Sequence, residues 1–222
     1  MSDTITNIAS KNECVILLHG LARTAKSFTT MEHVLQKNGY QTVNVSYPST
    51  KFKIEKLAAD AIGQALLHCE THSKVHFVTH SMGGILVRQY LKHHQIANLG
   101  RVVMIGPPNQ GSEVVDSLRN VPGFKLINGP AGMQLGTENT SIPNQLGVAT
   151  FETGVIAGNR SINLLLSTIL PGPNDGKVTV ENTRLSGMRD HITLPVTHPF
   201  MMKNTLVIKQ TLHFLQYGQF QY

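Results

Sequence analysis

The chain has 222 residues, 41% of them hydrophobic and 14% charged, with 19 Lys and Arg against 13 Asp and Glu for a formal charge of +6. That length suits one domain with a substantial core, and the low charge excludes a disordered chain or a coiled coil. The positive charge is spread without a Lys/Arg block and no nucleic-acid motif is present, so no nucleic-acid partner is expected.

The polar start, MSDTITNIASKNE, lacks the basic end and apolar run of a signal peptide, and no apolar run is long enough to span a bilayer. Cys14 and Cys69 fall in an apolar strand and at the end of an apolar helical stripe, and read as buried free thiols. Together these features predict a cytoplasmic setting and no transmembrane segment.

Glu13 to Leu18, ECVILL, is an apolar run of strand length, suited to a strand buried on both faces of a parallel sheet. His19-Gly20-Leu21 follows, then a helix over Ala25 to Lys37, stopped by Asn38-Gly39. A strand is expected at Gln41 to Ser46. Ile54 to Cys69 repeats apolar residues at 3-4-3-4 spacing and predicts an amphipathic helix.

Val75, Phe77 and Val78 mark the next strand, and Ile85, Leu86, Val87 and Tyr90 a helix running to about His94. Between them lies Thr79-His80-Ser81-Met82-Gly83-Gly84. A strand that feeds a helix with almost no loop turns sharply, which lifts the Ser81 hydroxyl above the sheet edge and aims the Met82 N–H at what it attacks. This is the G-x-S-x-G elbow pattern with Thr79 in place of the first glycine. An ordinary helix-capping serine is the competing reading.

Arg101 to Ile105 predicts a strand. Residues 107–147 then form a Gly-, Pro- and Asn-rich excursion, a lid or wall, with a short helix near Ser112 to Leu118. Thr153 to Ala157 predicts a strand and Ile162 to Leu166 a short helix. Pro171 to Val178 is a loop and Arg184 to Met188 a weak strand. His198-Pro199 opens a last helix, Phe200 to Leu215. The alternation implies one α/β domain over residues 1–222, an open, mostly parallel sheet with helices on both faces. Sites in such sheets lie at the carboxyl ends of the strands.

A serine hydroxyl needs a base, an acid that orients the base, and N–H donors for the oxyanion. His198, late in the chain between the last strand and the last helix, is the candidate base, and His191 the runner-up. Asp175 is the candidate acid, since the order Ser81, Asp175, His198 matches a known triad arrangement; Asp190 beside His191 is the rival. Leu21 and Met82 are the expected oxyanion donors. His68, His72, His76 and His80 straddle a helix end and a strand and cannot share a face, so no metal is expected.

The pieces LLHGL (Leu17–Leu21), THSMGG (Thr79–Gly84), GPPNQGS (Gly106–Ser112), NDGKV (Asn174–Val178) and THPFM (Thr197–Met201) resemble the α/β-hydrolase superfamily, in particular its small bacterial lipase-like and esterase-like members of the triacylglycerol-lipase type. The resemblance implies a minimal fold of about six strands without a large cap domain. It also implies a serine esterase or lipase that needs no cofactor and acts on a small-molecule or lipid ester. Phe124, Met133 and Leu135 are expected to bind the acyl part of the substrate. A thioesterase or amidase on the same triad, or a non-catalytic binding protein, are the alternatives, and the sequence leaves the oligomeric state open.

Overall fold

A computed structural model describes residues 12–162, 167 and 169–222. Six strands form one sheet: β1 (Glu13–Leu18), β2 (Gln41–Val45), β3 (Lys74–His80), β4 (Leu99–Ile105), β5 (Thr153–Gly158) and β6 (Asp190–Leu194). Their order is β2-β1-β3-β4-β5-β6, and every pair is parallel.

Both faces are covered, because successive side chains of a buried strand point to opposite sides. Ile16, Leu18, Phe77 and Met104 meet α2 (Ile54–Leu67) and α3 (Met82–His93) on one side. Val15, Leu17, Val78 and Ile105 meet α1 (Thr29–Lys37) and α7 (Thr205–Tyr217) on the other. The 3-4-3-4 stripe of α2 is the buried one: Ile54, Leu57, Ala58, Ala61, Ile62 and Ala65 all lie in the core.

Four expectations are corrected. The last strand is β6, and not Arg184–Met188, because Gly187 turns the chain at φ +83 where a side chain would meet Ala149. The last helix starts at Thr205: His198–Lys203 is a 3-10 turn, and the Asn204 side chain accepts from the Leu206 and Val207 N–H groups, starting α7 afresh. The excursion holds two helices beyond the expected short one (α4, Glu113–Leu118): α5 (Phe124–Met133) and α6 (Ile142–Gln145). Gly129, at φ 65, and Pro130 break α5 in the middle, which hides its periodicity. The helix expected over Ile162 to Leu166 lies mostly outside the described residues.

The fourth correction is chemical. Cys14 and Cys69 are bonded as a disulfide with their Cα atoms 5.8 Å apart. Cys14 sits in β1 and Cys69 just past α2, and α2 packs over the strand. The pairing comes from that packing, across a sequence separation of 55 residues.

Arg88 of α3 fixes the excursion against the domain. Its buried guanidinium donates to the Asn109, Pro143 and Gly147 carbonyls at 2.9–3.0 Å, and to Asn109 Oδ1 at 3.2 Å. Burial lowers its pKa to about 10, still far above neutrality. No helix among the described residues is long and apolar enough to cross a membrane.

Candidate active site

The sharp turn after β3 is present. Ser81 has φ 52 and ψ −122, and with Ala22 it is one of two described non-glycine residues at positive φ. Such a backbone persists only where its surroundings hold it. The Ser81 N–H donates to Ile105 O at 2.9 Å, and Gly84 N–H donates to Ser81 O at 3.0 Å. A side chain at Gly83 would collide with the Leu18 carbonyl, so β1 and the elbow touch backbone to backbone. The departure at Thr79 is accommodated by Gly84: a Cβ there would stand 3.3 Å from Thr79 Oγ1.

Gly20, in the loop after β1, approaches the same turn. A Cβ on it would lie 2.9 Å from His80 Nδ1 and 3.1 Å from Ser81 Cβ. His19 fixes this loop from below. It stacks on Tyr47 with ring centroids 4.1 Å apart, its carbonyl accepts from the Tyr47 hydroxyl, and its Nε2 accepts from Tyr47 N–H at 3.3 Å. Nδ1 then carries the proton and donates to Gly20 O at 2.8 Å. Burial lowers the His19 pKa, in keeping with this neutral form. The Leu21 and Met82 N–H groups donate to no other described residue.

Asp175 and His198 meet although 23 residues separate them. His198 Nδ1 and Asp175 Oδ2 are 2.7 Å apart. Asp175 Oδ1 accepts from the Lys177 and Val178 N–H groups at 2.9 Å each, and His198 N–H donates to Asp175 O at 3.0 Å. The Asn-Asp-Gly turn therefore shapes the loop and orients the carboxylate at once.

His80 completes the mounting of His198. Its Nε2 lies 3.0 Å from His198 O, which only a protonated nitrogen can bond. Burial, and next the electrostatic influence of His198 and Arg23, hold the His80 pKa well below the ordinary value. A neutral His80 thus donates to the backbone of the candidate base, a role that its position one residue before Ser81 does not disclose.

Asp190 and His191, the rival pair, are elsewhere. Asp190 accepts from the N–H groups of His191 and Phe220 and from the Tyr222 hydroxyl, at 2.7–2.8 Å. His191 Nε2 lies 2.9 Å from Thr183 Oγ1. These contacts bind the end of the chain to β6. The four evenly spaced histidines scatter as well. His76 packs against Glu13 in the sheet, His80 lies under the site, and His68 and His72 follow α2.

Ser81, Asp175 and His198 line one cavity of about 230 Å³. Leu21, Val115, Phe124 and Leu135 supply apolar wall, so Phe124 and Leu135, two of the three acyl-binding residues expected from the sequence, converge here. Met133 does not line it. Phe124 and Asn128 face the cavity from the first half of α5, and the break at Gly129 and Pro130 changes the helix's phase before Met133. The Met82 side chain is buried in the core beneath the elbow. Two cations that the sequence reading did not select, Arg23 and Lys177, also line the cavity.

The profile of the Alpha/beta hydrolase family matches residues 15–173. The fold is similar to that of the mature lipase BlEst2 from Bacillus licheniformis, with 20% identity, a TM-score of 0.70, and 98% of this chain and 95% of that one covered. It is similar to the esterase EaEST from Exiguobacterium antarcticum, with 16% identity, a TM-score of 0.61, and 94% and 93% covered. It is also similar to the Staphylococcus hyicus lipase, with 13% identity, a TM-score of 0.59, and 89% and 90% covered. No curated protein matches the sequence.

Proposed function

Because the chain belongs to the Alpha/beta hydrolase family, we propose that it hydrolyses carboxylic esters through an acyl-enzyme on Ser81. The observation that carries this reading is the 2.7 Å contact between Asp175 Oδ2 and His198 Nδ1, on the wall of the cavity that holds the strained serine. The lipases and esterase that share the fold support ester as the substrate class.

Ser81 Oγ attacks the ester carbonyl and passes its proton to His198 Nε2. Asp175 holds the Nδ1–H tautomer and stabilises the imidazolium that forms. The oxyanion is met by the Leu21 and Met82 N–H groups, fixed before substrate arrives so that little reorganisation accompanies the step. His198 then protonates the departing alkoxide. Water, deprotonated by the same histidine, attacks the acyl-enzyme and releases the acid. Leu21, Phe124 and Leu135 receive the acyl part.

The working compartment is also a matter for proposal. Cystines are rare in reducing cytoplasm. The Cys14–Cys69 bond therefore favours an oxidising compartment over the cytoplasmic one expected from free thiols.

A test compares hydrolysis of matched ester, thioester and amide of one acyl group by the wild type and Ser81→Ala. The expected result is fastest turnover of the ester and loss of at least about 1,000-fold in Ser81→Ala. Faster cleavage of the thioester or amide would reassign the substrate class, and turnover unaffected by Ser81→Ala would end the proposal.

A further inference from the structure

The site contains more positive charge than its chemistry uses. Arg23 follows the oxyanion loop, Lys177 follows the acid, and both line the cavity with Ser81. Neither side chain makes a hydrogen bond or an ion pair with another described residue. Among the described residues Asp175 is the only carboxylate on the cavity wall, and both its oxygens are already occupied, one by His198 and one by two backbone N–H groups.

Both cations are held in place through their backbones. Lys177 donates its N–H to Asp175 Oδ1, and its carbonyl accepts from Ser112 Oγ at 2.9 Å. Arg23 follows Ala22, whose left-handed backbone donates its N–H to Ser49 Oγ at 3.0 Å. The folding of the site therefore sets two like charges around one cavity, and neither is paired with a carboxylate among the described residues.

The electrostatic consequences agree. Lys177 is exposed at the mouth, yet the protein around its ammonium lowers its pKa, with the charge of Arg23 second and Asp175 opposing. Arg23 also lowers the pKa of His19 and of His80, on either side of the elbow. The cavity is thus electropositive, and an anion entering it would relieve the repulsion between the two cations.

We propose that Arg23 and Lys177 form an anion subsite beside Ser81, so that the preferred substrates are esters carrying a carboxylate or phosphate group. This rests on the ester-hydrolase reading of Ser81 and adds the class of ester. Charge-assisted hydrogen bonds from a guanidinium and an ammonium would fix the substrate's anionic end while its carbonyl meets the oxyanion donors.

The test measures kcat/KM for two matched pairs with the full chain. Mono-4-nitrophenyl adipate against 4-nitrophenyl hexanoate places a carboxylate on the acyl part. Butyrylglycerol phosphate against butyrylglycerol places a phosphate on the alcohol part. We expect a preference of about 10-fold or more for the anionic member of at least one pair at low salt. Added salt should reduce that ratio. It should fall towards unity in Arg23→Gln/Lys177→Gln and invert in Lys177→Glu.

Equal or faster turnover of both neutral members, or a preference that persists in the double variant, would overturn the subsite. The salt series on the wild type needs no variant and gives the same decision if a substitution impairs folding. A fluorophosphonate control separates the two proposals. Ser81 labelled and neutral esters cleaved, without anion preference, removes the subsite alone. No label and no turnover removes the hydrolase reading, and the subsite with it.

Discussion

The two ends of the sheet carry the same kinds of side chain in opposite arrangements. At the amino ends of the strands, polar groups pair with one another. Glu13 faces His76, Arg101 binds Glu152 and the Leu215 carbonyl, and Asp190 takes one donor from its neighbour His191 and two from the end of the chain. The disulfide lies at this end too, in the second residue of β1. At the carboxyl ends, donors and cations are left facing a cavity. The Leu21 and Met82 N–H groups and the side chains of Arg23 and Lys177 have no protein partner among the described residues, and both described left-handed non-glycine residues are here. One end is closed in the sense that its side chains pair with one another, around a second cavity of about 280 Å³, and it stabilises. The other is strained and leaves polar groups available to a substrate. A histidine beside a carboxylate therefore says little until the end of the sheet it occupies is known.

The largest expected contrast is between the two Asp–His pairs. His198→Ala or Asp175→Asn should lower kcat/KM on an ester by at least about 1,000-fold. His191→Ala and Asp190→Asn should stay within about 3-fold of wild type, since neither touches the reacting atoms. Steady-state kinetics on the four variants checks this, and equal losses in both pairs would break the contrast.

Next in size is the disulfide at the closed end. The chain-entropy relation for a loop of this length gives about 4 kcal/mol of stabilisation. Cys14→Ala/Cys69→Ala should lower the urea midpoint accordingly while the intact fold keeps its ester activity.

His76 supplies the acid sensitivity of that same end. Its Nδ1 accepts from Arg101 N–H at 2.8 Å, so protonation there would cost a backbone hydrogen bond. Burial pushes its pKa down to about 4, against a smaller opposing effect of Glu13. The unfolded chain binds the proton first, so the stabilisation is complete above about pH 6.5 and is lost as pH falls through 6.5 towards 4. The loss amounts to roughly 3 kcal/mol. Urea unfolding between pH 7.5 and 4 should show that slope, and His76→Gln should flatten it.

The smallest effect belongs to Asp190. Phe220 N–H and the Tyr222 hydroxyl bond different oxygens of its carboxylate and an amide keeps only one, so Asp190→Asn should lose one of these bonds and cost about 1–2 kcal/mol. A change in activity larger than the change in stability would show that the amino end communicates with the site.

Strands buried on both faces are continuous apolar runs, so β1, β3, β4 and β5 are legible in the sequence, and the turn at Ser81 follows from strand, glycines and helix. Asp175 and His198 are legible because each follows the sheet in a fixed order. Features created by packing are not. Nothing local ties Cys14 to Cys69, or marks His80 as a donor to a carbonyl 118 residues away. Arg88, inside the apolar stretch ILVRQY, is the one signal that a buried cation grips the excursion. The helices of the excursion are short and broken by Gly129-Pro130, so Met133 could not be placed on the correct face.

On our proposal the open end works through Ser81 and His198, while the closed end only stabilises. The most direct measurement is the rate of fluorophosphonate labelling at Ser81, located by peptide mass spectrometry, in wild type, His198→Ala and His191→Ala. Wild type and His191→Ala should label at similar rates, and His198→Ala should lose the label or acquire it far more slowly. Labelling that survives His198→Ala, or disappears in His191→Ala, would contradict the assignment.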